Sequence, residues 1–393
     1  MHGAYPQAGV EGFIAAPEAS GLGDGAGLRY VAGEFWTAKK RQSSRLHEIS
    51  YRACFKAELP RFFIERYTAP GDVVYDPFMG RGTTLVEAAL AGRVPAGNDV
   101  NPLSRMLVEP RLDPPTLDEV RDELEGIDLS GGEASDPDLL AFYHPETLAA
   151  LDALRRWHVG AGESLCKAGR WIRMVALNRL TGHSKGFFSV YTMPPNQAVS
   201  PAAQRKINER RGQAPEPKDV KAIILKKTAS LLSSGVPPKP PARPLLMTGK
   251  ASHTPELADA SVALAVTSPP FLDIVDYAGD NWLRCWFAGI DPSSVAIDRH
   301  RTVFDWRAFV AGTLEELARV VRPGGHIAFE VGEVRNGQVL LEREVAAAAD
   351  GLPLELECVM VNEQEFSKTA NLWGIGNNAR GTNTNRICLF RRA

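Results

Sequence analysis

Twelve residues, VVYDPFMGRGTT from Val73 to Thr84, leave this chain few architectures to choose from. Val73, Val74 and Tyr75 are a short β-prone run that stops at Asp76-Pro77. Gly80 and Gly82 follow, and a helical pattern begins at Thr83 and runs to Leu90. Strand, glycine turn and helix N-terminus make the βα junction at which α/β proteins hold nucleotides. Glycine lets the backbone approach a ligand closely. A P-loop would place a lysine here, and there is none. Asp76 instead sets a carboxylate at the strand's end, which suits a ligand with a positive amine. Two glycines after a strand also arise from tight strand–helix packing alone.

The same grammar recurs along the chain. Val94 to Val100 reads as a second short strand ending in an acid, Asp99. Asp99 lies about twenty residues beyond the glycines, where a carboxylate commonly bonds ribose hydroxyls; such acids also serve simply as turn formers. Val262 to Val266 is an uninterrupted apolar run, typical of a strand buried on both faces of a parallel sheet. Thr267-Ser268-Pro269-Pro270-Phe271 follows at its carboxyl end, where α/β sheets place their chemistry. Leu317 to Gly325 and His326 to Val331 read as helix, turn and strand, and Leu354–Val361 and Arg386–Arg391 as two further strands.

Charge is distributed unevenly. The chain carries 45 Lys/Arg and 47 Asp/Glu, yet residues 155–250 hold 18 of the former and only 4 of the latter. So basic a segment in a near-neutral chain points to a phosphate backbone as partner, against the alternative of a solvated basic face. Leu148, Leu151, Leu154 and Trp157 recur at helical spacing, and Trp171 to Leu180 forms another such stretch. From Thr181 to Arg211, Lys185, Arg205, Lys206, Arg210 and Arg211 interleave with Phe187, Phe188 and Tyr191 and with the amides Asn196 and Gln197. Arg, Lys, Asn and Gln are the side chains best suited to reading base edges; Phe187 and Phe188 fit better as core. Prolines between 233 and 244 mark a stiff return linker. Residues 1–32 read as a flexible arm, Arg45–Tyr51 as a helical stretch, and Leu59-Pro60 as the opening of a second helix. The Gly/Asn-rich loop Trp373–Asn385 is either a DNA contact or a mobile segment.

With 44% hydrophobic and 23% charged residues, the chain has a soluble globular composition. No apolar run is long enough to span a bilayer, and the N-terminus lacks a signal-peptide pattern. Cys54, Cys166, Cys285, Cys358 and Cys388 show neither CxxC nor metal-ligand spacing, so reduced thiols, no bound metal and a cytoplasmic location are expected.

DPFMGRGTT resembles the S-adenosylmethionine motif DPF-x-G-x-GTT of amino-group DNA methyltransferases, matching at Asp76, Pro77, Phe78, Gly80, Gly82, Thr83 and Thr84. TSPPF resembles the catalytic (D/N/S)-PP-(Y/F) motif of the same enzymes. Its SPP form is most like the cytosine-N4 members of restriction–modification systems. The resemblance implies a Rossmann-like, S-adenosylmethionine-dependent methyltransferase sheet with a mostly helical inserted target-recognition region. The cofactor half would span 33–109, the DNA-binding insertion 110–245 and the catalytic half 246–393. It implies S-adenosyl-L-methionine as cofactor, bound by the motif residues and Asp99, and duplex DNA as partner; a cognate restriction endonuclease acting on the same site would fit. Ser268 and the Pro269 carbonyl would accept the two N–H groups of the target amine. Pro269 and Pro270 would stiffen the loop, and Phe271 would stack on a flipped base. Phe78 would face the sulfonium. Adenine-N6 methylation, RNA methylation and a catalytically silent DNA-binding protein are the alternatives. A cytosine-C5 enzyme would need a Pro-Cys nucleophile, which the chain lacks.

Overall fold

The computed structural model describes residues 27–36, 43–51, 54–134, 136–194, 197–270, 272, 277–295, 300–334, 339–362 and 385–393. Its strands are β1 (Tyr30–Gly33), β2 (Val73–Asp76), β3 (Val94–Asp99), β4 (Leu245–Thr248), β5 (Val262–Thr267), β6 (Val321–Val331), β7 (Glu333–Val334), β8 (Val339–Leu340), β9 (Leu354–Asn362) and β10 (Asn385–Arg392). Eight of them form one sheet in the order β1-β9-β10-β6-β5-β2-β3-β4, while β7 and β8 pair separately. Within the sheet β10 runs antiparallel to both its neighbours, and every other pairing is parallel. Strand order reverses between β2 and β5, so a crevice opens above their carboxyl ends. This is a Rossmann-like α/β sheet, in which β9 and β10 pair antiparallel as expected, with β1 at the edge beyond β9.

Helices cover both faces because the central strands alternate apolar side chains to each. Val74, Leu264, Val266 and Ala328 pack against Leu59, Phe63 and Ile64 of α1 (Glu58–Tyr67). Their strand neighbours Tyr75, Ala265, Ile327 and Phe329 face the other way. They meet Val310, Leu314 and Leu317 of a later helix, Val303–Val320, and Val345 of Leu341–Ala348. Pro60 sits in the first turn of α1, where its missing N–H has no helical partner to lose.

α2 (Thr83–Leu90) links β2 to β3, and between β3 and β4 the regular elements of the described chain are helices: α3 (Pro102–Leu112), α4 (Leu117–Gly126), α5 (Pro145–Ala161), α6 (Lys167–Arg179), α7 (Pro201–Arg211) and α8 (Val220–Leu232). After β5 come α9 (Tyr277–Ala288), α10 (Val303–Val320) and α11 (Leu341–Ala348). Leu85 and Val86 of α2, Leu107 of α3, Leu151 of α5, Trp171 and Val175 of α6 and Phe287 of α9 belong to one buried cluster. The helical region is therefore packed onto the sheet's own helices, and Trp171 Nε1 donates to Thr228 Oγ1 of α8 at 3.0 Å within it.

Three expectations are corrected. The arm expected through residue 32 ends earlier, because Tyr30–Gly33 adds β1 to the sheet edge against Val359–Asn362. Arg45–Tyr51 is not a helix beyond a 3₁₀ turn at Arg45–His47. Its carbonyls are taken by side chains instead: Leu46 O by Arg111, His47 O and Ile49 O by Arg81, Glu48 O by Asn178 and Ser50 O by Arg284. Gly324 and Gly325, expected as a turn before the strand, lie inside β6, where its register against β5 shifts. Most of the Trp373–Asn385 loop lies outside the described residues.

Candidate active site

The glycine loop joins β2 to α2. Gly80 and Gly82 have φ of 47° and 77°, in the left-handed region that favours glycine. At Gly82 an added Cβ would stand 2.4 Å from Val108 Cγ2, so α3 packs directly on the loop. At Gly80 the nearest atom to such a Cβ is Tyr51 Cε1 at 3.7 Å, which leaves room beside the loop. Asp99, at the end of β3, accepts the Gly80 N–H through Oδ2 at 2.8 Å and the Asn101 N–H through Oδ1 at 2.9 Å. A carboxylate has about four acceptor sites, so these bonds leave capacity for a ligand hydroxyl. Burial raises its pKa above the ordinary carboxylate value, against those two amide bonds and a hydrogen bond to the Ser104 side chain.

Asp76 is not at the surface of the loop: it is 1% exposed. Its Oδ1 accepts the Thr267 hydroxyl at 2.6 Å and the Phe78 N–H at 3.1 Å. Burial pushes its pKa up to about 7, although those hydrogen bonds favour the charged form. Thr84 Oγ1 donates to Val266 O at 3.0 Å, a second tie between α2 and β5. Thr83 Oγ1 accepts from Arg81 Nε at 3.2 Å, and Pro77 O accepts from Asn98 Nδ2 at 3.4 Å. The half-buried Phe78 ring lies 5.5 Å from Phe309 of α10.

Ser268 directly follows Thr267, so the Asp76–Thr267 bond brings the glycine loop and the Ser-Pro-Pro loop together across neighbouring strands. Pro269 is buried, and the Pro270 carbonyl accepts Trp306 Nε1 at 2.9 Å, which holds the loop from α10. Phe271 lies outside the described residues. A residue that sequence reasoning passed over completes this corner. Glu330 near the end of β6 is 8% exposed, and the Ser268 side chain hydrogen-bonds its carboxylate. Burial raises Glu330 to about pKa 7, and the Ser268 bond opposes that rise. The signal was present: an acid interrupts the apolar strand run HIAFEV on the strand beside β5.

The profile of the N6/N4 DNA methylase family matches residues 27–103. The match covers about a fifth of the chain. The matched segment runs from β1 to the start of α3 and contains the whole glycine loop and Asp99; Ser268 lies beyond it. Among curated relatives, the Type II methyltransferase M.MjaII of Methanocaldococcus jannaschii is 34% identical over 76 residues, 19% of this chain and 14% of the relative. M.MthZI of Methanothermobacter thermautotrophicus is 37% identical over 82 residues, 20% of this chain and 23% of the relative. The likeness thus spans under a quarter of each relative's length. Among solved structures, TrmN from Thermus thermophilus aligns over 89% of this chain and 52% of that one, at 12% identity and a TM-score of 0.35. The fold is read from the sheet order rather than from superpositions this loose.

Beyond the matched segment, the basic region separates into two kinds of cation. Lys185, Lys206 and Arg210 are exposed. Arg205 and Arg211 are exposed too but engaged: Arg205 pairs with Asp138, and Arg211 lies 3.8 Å over the Tyr191 ring. Gln197 is half-buried, and Asn196 lies outside the described residues. Phe187 and Phe188 are buried as expected, with the Arg179 guanidinium 3.9 Å over Phe187.

Proposed function

We propose that this protein transfers a methyl group from S-adenosyl-L-methionine to the exocyclic N4 amino group of a cytosine in duplex DNA, flipped out of the helix. The observation that carries the reading is the Asp76–Thr267 hydrogen bond, which sets the methylase glycine loop beside Ser268. The loop fits the cofactor: Gly80 meets nothing closer than ordinary van der Waals contact, and Asp99 keeps acceptor capacity at the end of β3 for a ribose hydroxyl. Asp76, Pro77, Gly82, Thr83 and Thr84 hold the loop's shape from beneath. When bound, the cofactor supplies a methyl group already activated on a sulfonium, and the half-buried Phe78 ring is assigned the face toward that cation.

An aryl amine is a weak nucleophile because its lone pair is delocalised into the ring. Acceptors at its two N–H groups draw the nitrogen toward tetrahedral geometry, and Ser268 Oγ and the Pro269 carbonyl are assigned that role. A serine hydroxyl can also donate, which would tie up the attacking lone pair. When the ionised Glu330 carboxylate takes its hydrogen, Ser268 offers the amine only acceptor lone pairs. What remains is alignment of nitrogen, methyl and sulfur as the N–C bond forms and the C–S bond breaks; the proton that the amine then sheds can pass through Ser268 to the Glu330 carboxylate. Phe271 is assigned to stack on the extruded base, helping to offset the few kcal/mol that flipping costs.

In this reading residues 33–109 form the cofactor half, 110–245 the target-recognition insertion and 246–393 the catalytic half. The relatives' designation as Type II methyltransferases favours a restriction–modification setting, with an endonuclease for the same site and a cytoplasmic location. No helix among the described residues is long and apolar enough to cross a membrane.

The test is incubation with methyl-labelled S-adenosylmethionine and mixed-sequence duplex DNA, followed by nucleoside analysis. Label in N4-methylcytosine is the expected result. Label in N6-methyladenine would keep the mechanism and replace the base. Label only in RNA, or in nothing despite cofactor binding, would refute DNA methylation.

A further inference from the structure

Helix α7 contributes almost nothing to the core. Gln204 is its one buried residue. Polar bonds hold the inward side instead: Gln204 Nε2 donates to Tyr191 O at 3.0 Å, and Asn208 Nδ2 donates to Ala141 O at 2.8 Å. The Ser200 hydroxyl caps the first turn by accepting the Ala203 N–H, and Gly212 closes the last in a left-handed conformation. Arg211 stacks on Tyr191 and donates through Nε to Gln213 Oε1 at 3.2 Å. A helix this short is marginal by itself in water. Apolar burial does not explain why it is kept, yet several directional bonds fix its orientation.

At 3.6 residues per turn, Gln204, Asn208 and Arg211 share the inner side. Ala202, Lys206, Glu209 and Arg210 then converge on the outer side, and all four are exposed. This face stands in a region with a large excess of positive charge. The chain just ahead of α7 is also tied to the helix that follows the Ser-Pro-Pro loop. Trp282 Nε1 of α9 donates to Ala198 O at 3.1 Å. The Trp282 ring lies 6.0 Å from Phe142, adjacent to the segment that supplies Asp138 and Ala141 O to α7.

We propose that α7 is the base-reading element, its outer face of Ala202, Lys206, Glu209 and Arg210 entering the major groove of duplex DNA while Arg205 and Arg211 brace it. The inference rests on the methyl-transfer reading above and adds the element that reads sequence. A helix of roughly 10–12 Å diameter fits a groove about 12 Å wide. Arg210 and Lys206 can donate to guanine O6 and N7, Glu209 can accept from cytosine N4, and the Ala202 methyl can meet a thymine methyl. The Trp282 bond ties the segment ahead of α7 to the helix that follows the Ser-Pro-Pro loop in sequence.

The experiment compares wild type with Arg210→Ala, Lys206→Ala and Glu209→Gln on a randomised duplex library. It scores methylated sequences, duplex binding by fluorescence anisotropy, and cofactor affinity by calorimetry. Arg210→Ala should keep cofactor affinity, lose about ten- to a hundredfold in methylation of the preferred sequence, and relax preference at one base pair. Lys206→Ala and Glu209→Gln should relax neighbouring positions. Uniform weakening with unchanged preference would make α7 a phosphate contact and overturn the assignment, as would no change. Anisotropy keeps the two readings separable. If wild type methylates nothing but Arg210→Ala still loses one duplex sequence selectively, α7 stands and the transfer reading falls. Equal or tighter binding of RNA by the same face would overturn α7 as a duplex reader.

Discussion

Thr267→Val tests the hydrogen bond that joins the two halves of the site. The substitution keeps side-chain shape and removes the hydroxyl that donates to Asp76 Oδ1 at 2.6 Å, at a position with no solvent to replace it. Hydrogen bonds to charged groups contribute about 1.5–3 kcal/mol and neutral ones about 0.5–1.5 kcal/mol. Which figure applies depends on pH, because burial raises the folded pKa of Asp76 to about 7 from its ordinary value of 3.8. Between those values the folded state binds the proton that the unfolded state has released, so this group's contribution to stability falls as pH rises. Thr267 favours the carboxylate; removing it raises the folded pKa further. The variant's extra penalty is therefore absent while Asp76 is protonated in both proteins and appears as pH rises through about 7. We expect a deficit of about 1 kcal/mol at pH 5.5 that roughly doubles by pH 8.5. At about 2–4 °C per kcal/mol for larger domains, the Tm gap should widen from a few degrees to at least about twice that. Thermal unfolding of both proteins across this range reads the difference, and Glu330 cancels because both carry it. A deficit independent of pH, or one that shrinks as pH rises, would refute the reasoning.

Three further outcomes follow from the same geometry. Ser268→Ala should abolish methyl transfer while leaving cofactor affinity within about twofold, since Ser268 lies outside the glycine loop; calorimetry beside a label-transfer assay checks both halves. Wild-type transfer should rise with pH through about 7 as Glu330 becomes the carboxylate that engages the Ser268 hydroxyl. In Glu330→Gln that limb should flatten, and a pH–rate profile unchanged by the substitution would assign the ionisation elsewhere, with Asp76 the next candidate. Gly82→Ala should cost about 1–3 kcal/mol or more, because a methyl would meet Val108 at 2.4 Å on a backbone already at φ 77°. Denaturant unfolding measures it, and Val108→Ala should recover part of the loss if the clash is the cause.

Local chemistry is what the sequence discloses. Residues 73–84 could be read as strand, turn and helix because β-prone side chains, two glycines and a helical pattern act over a few neighbours. The same holds for β3 ending in Asp99, for β5 leading into Ser268, and for the helical periodicity at Leu148, Leu151 and Leu154. The segment 45–51 departs from its helical pattern because Arg81, Arg111, Asn178 and Arg284, all thirty or more positions away, take its carbonyls. Glu330 was missed because its partner, Ser268, is adjacent only through the β5–β6 pairing. Asp76 was placed at the right strand end, but its burial, its bond to Thr267 and its raised pKa depend on β2 and β5 lying side by side. By itself, then, the sequence determined the strand–loop–helix units and the residue types at their ends. Only the tertiary structure decided which carboxylates are buried, which cations are engaged and which face of α7 is open, because each depends on distances between residues far apart in the chain.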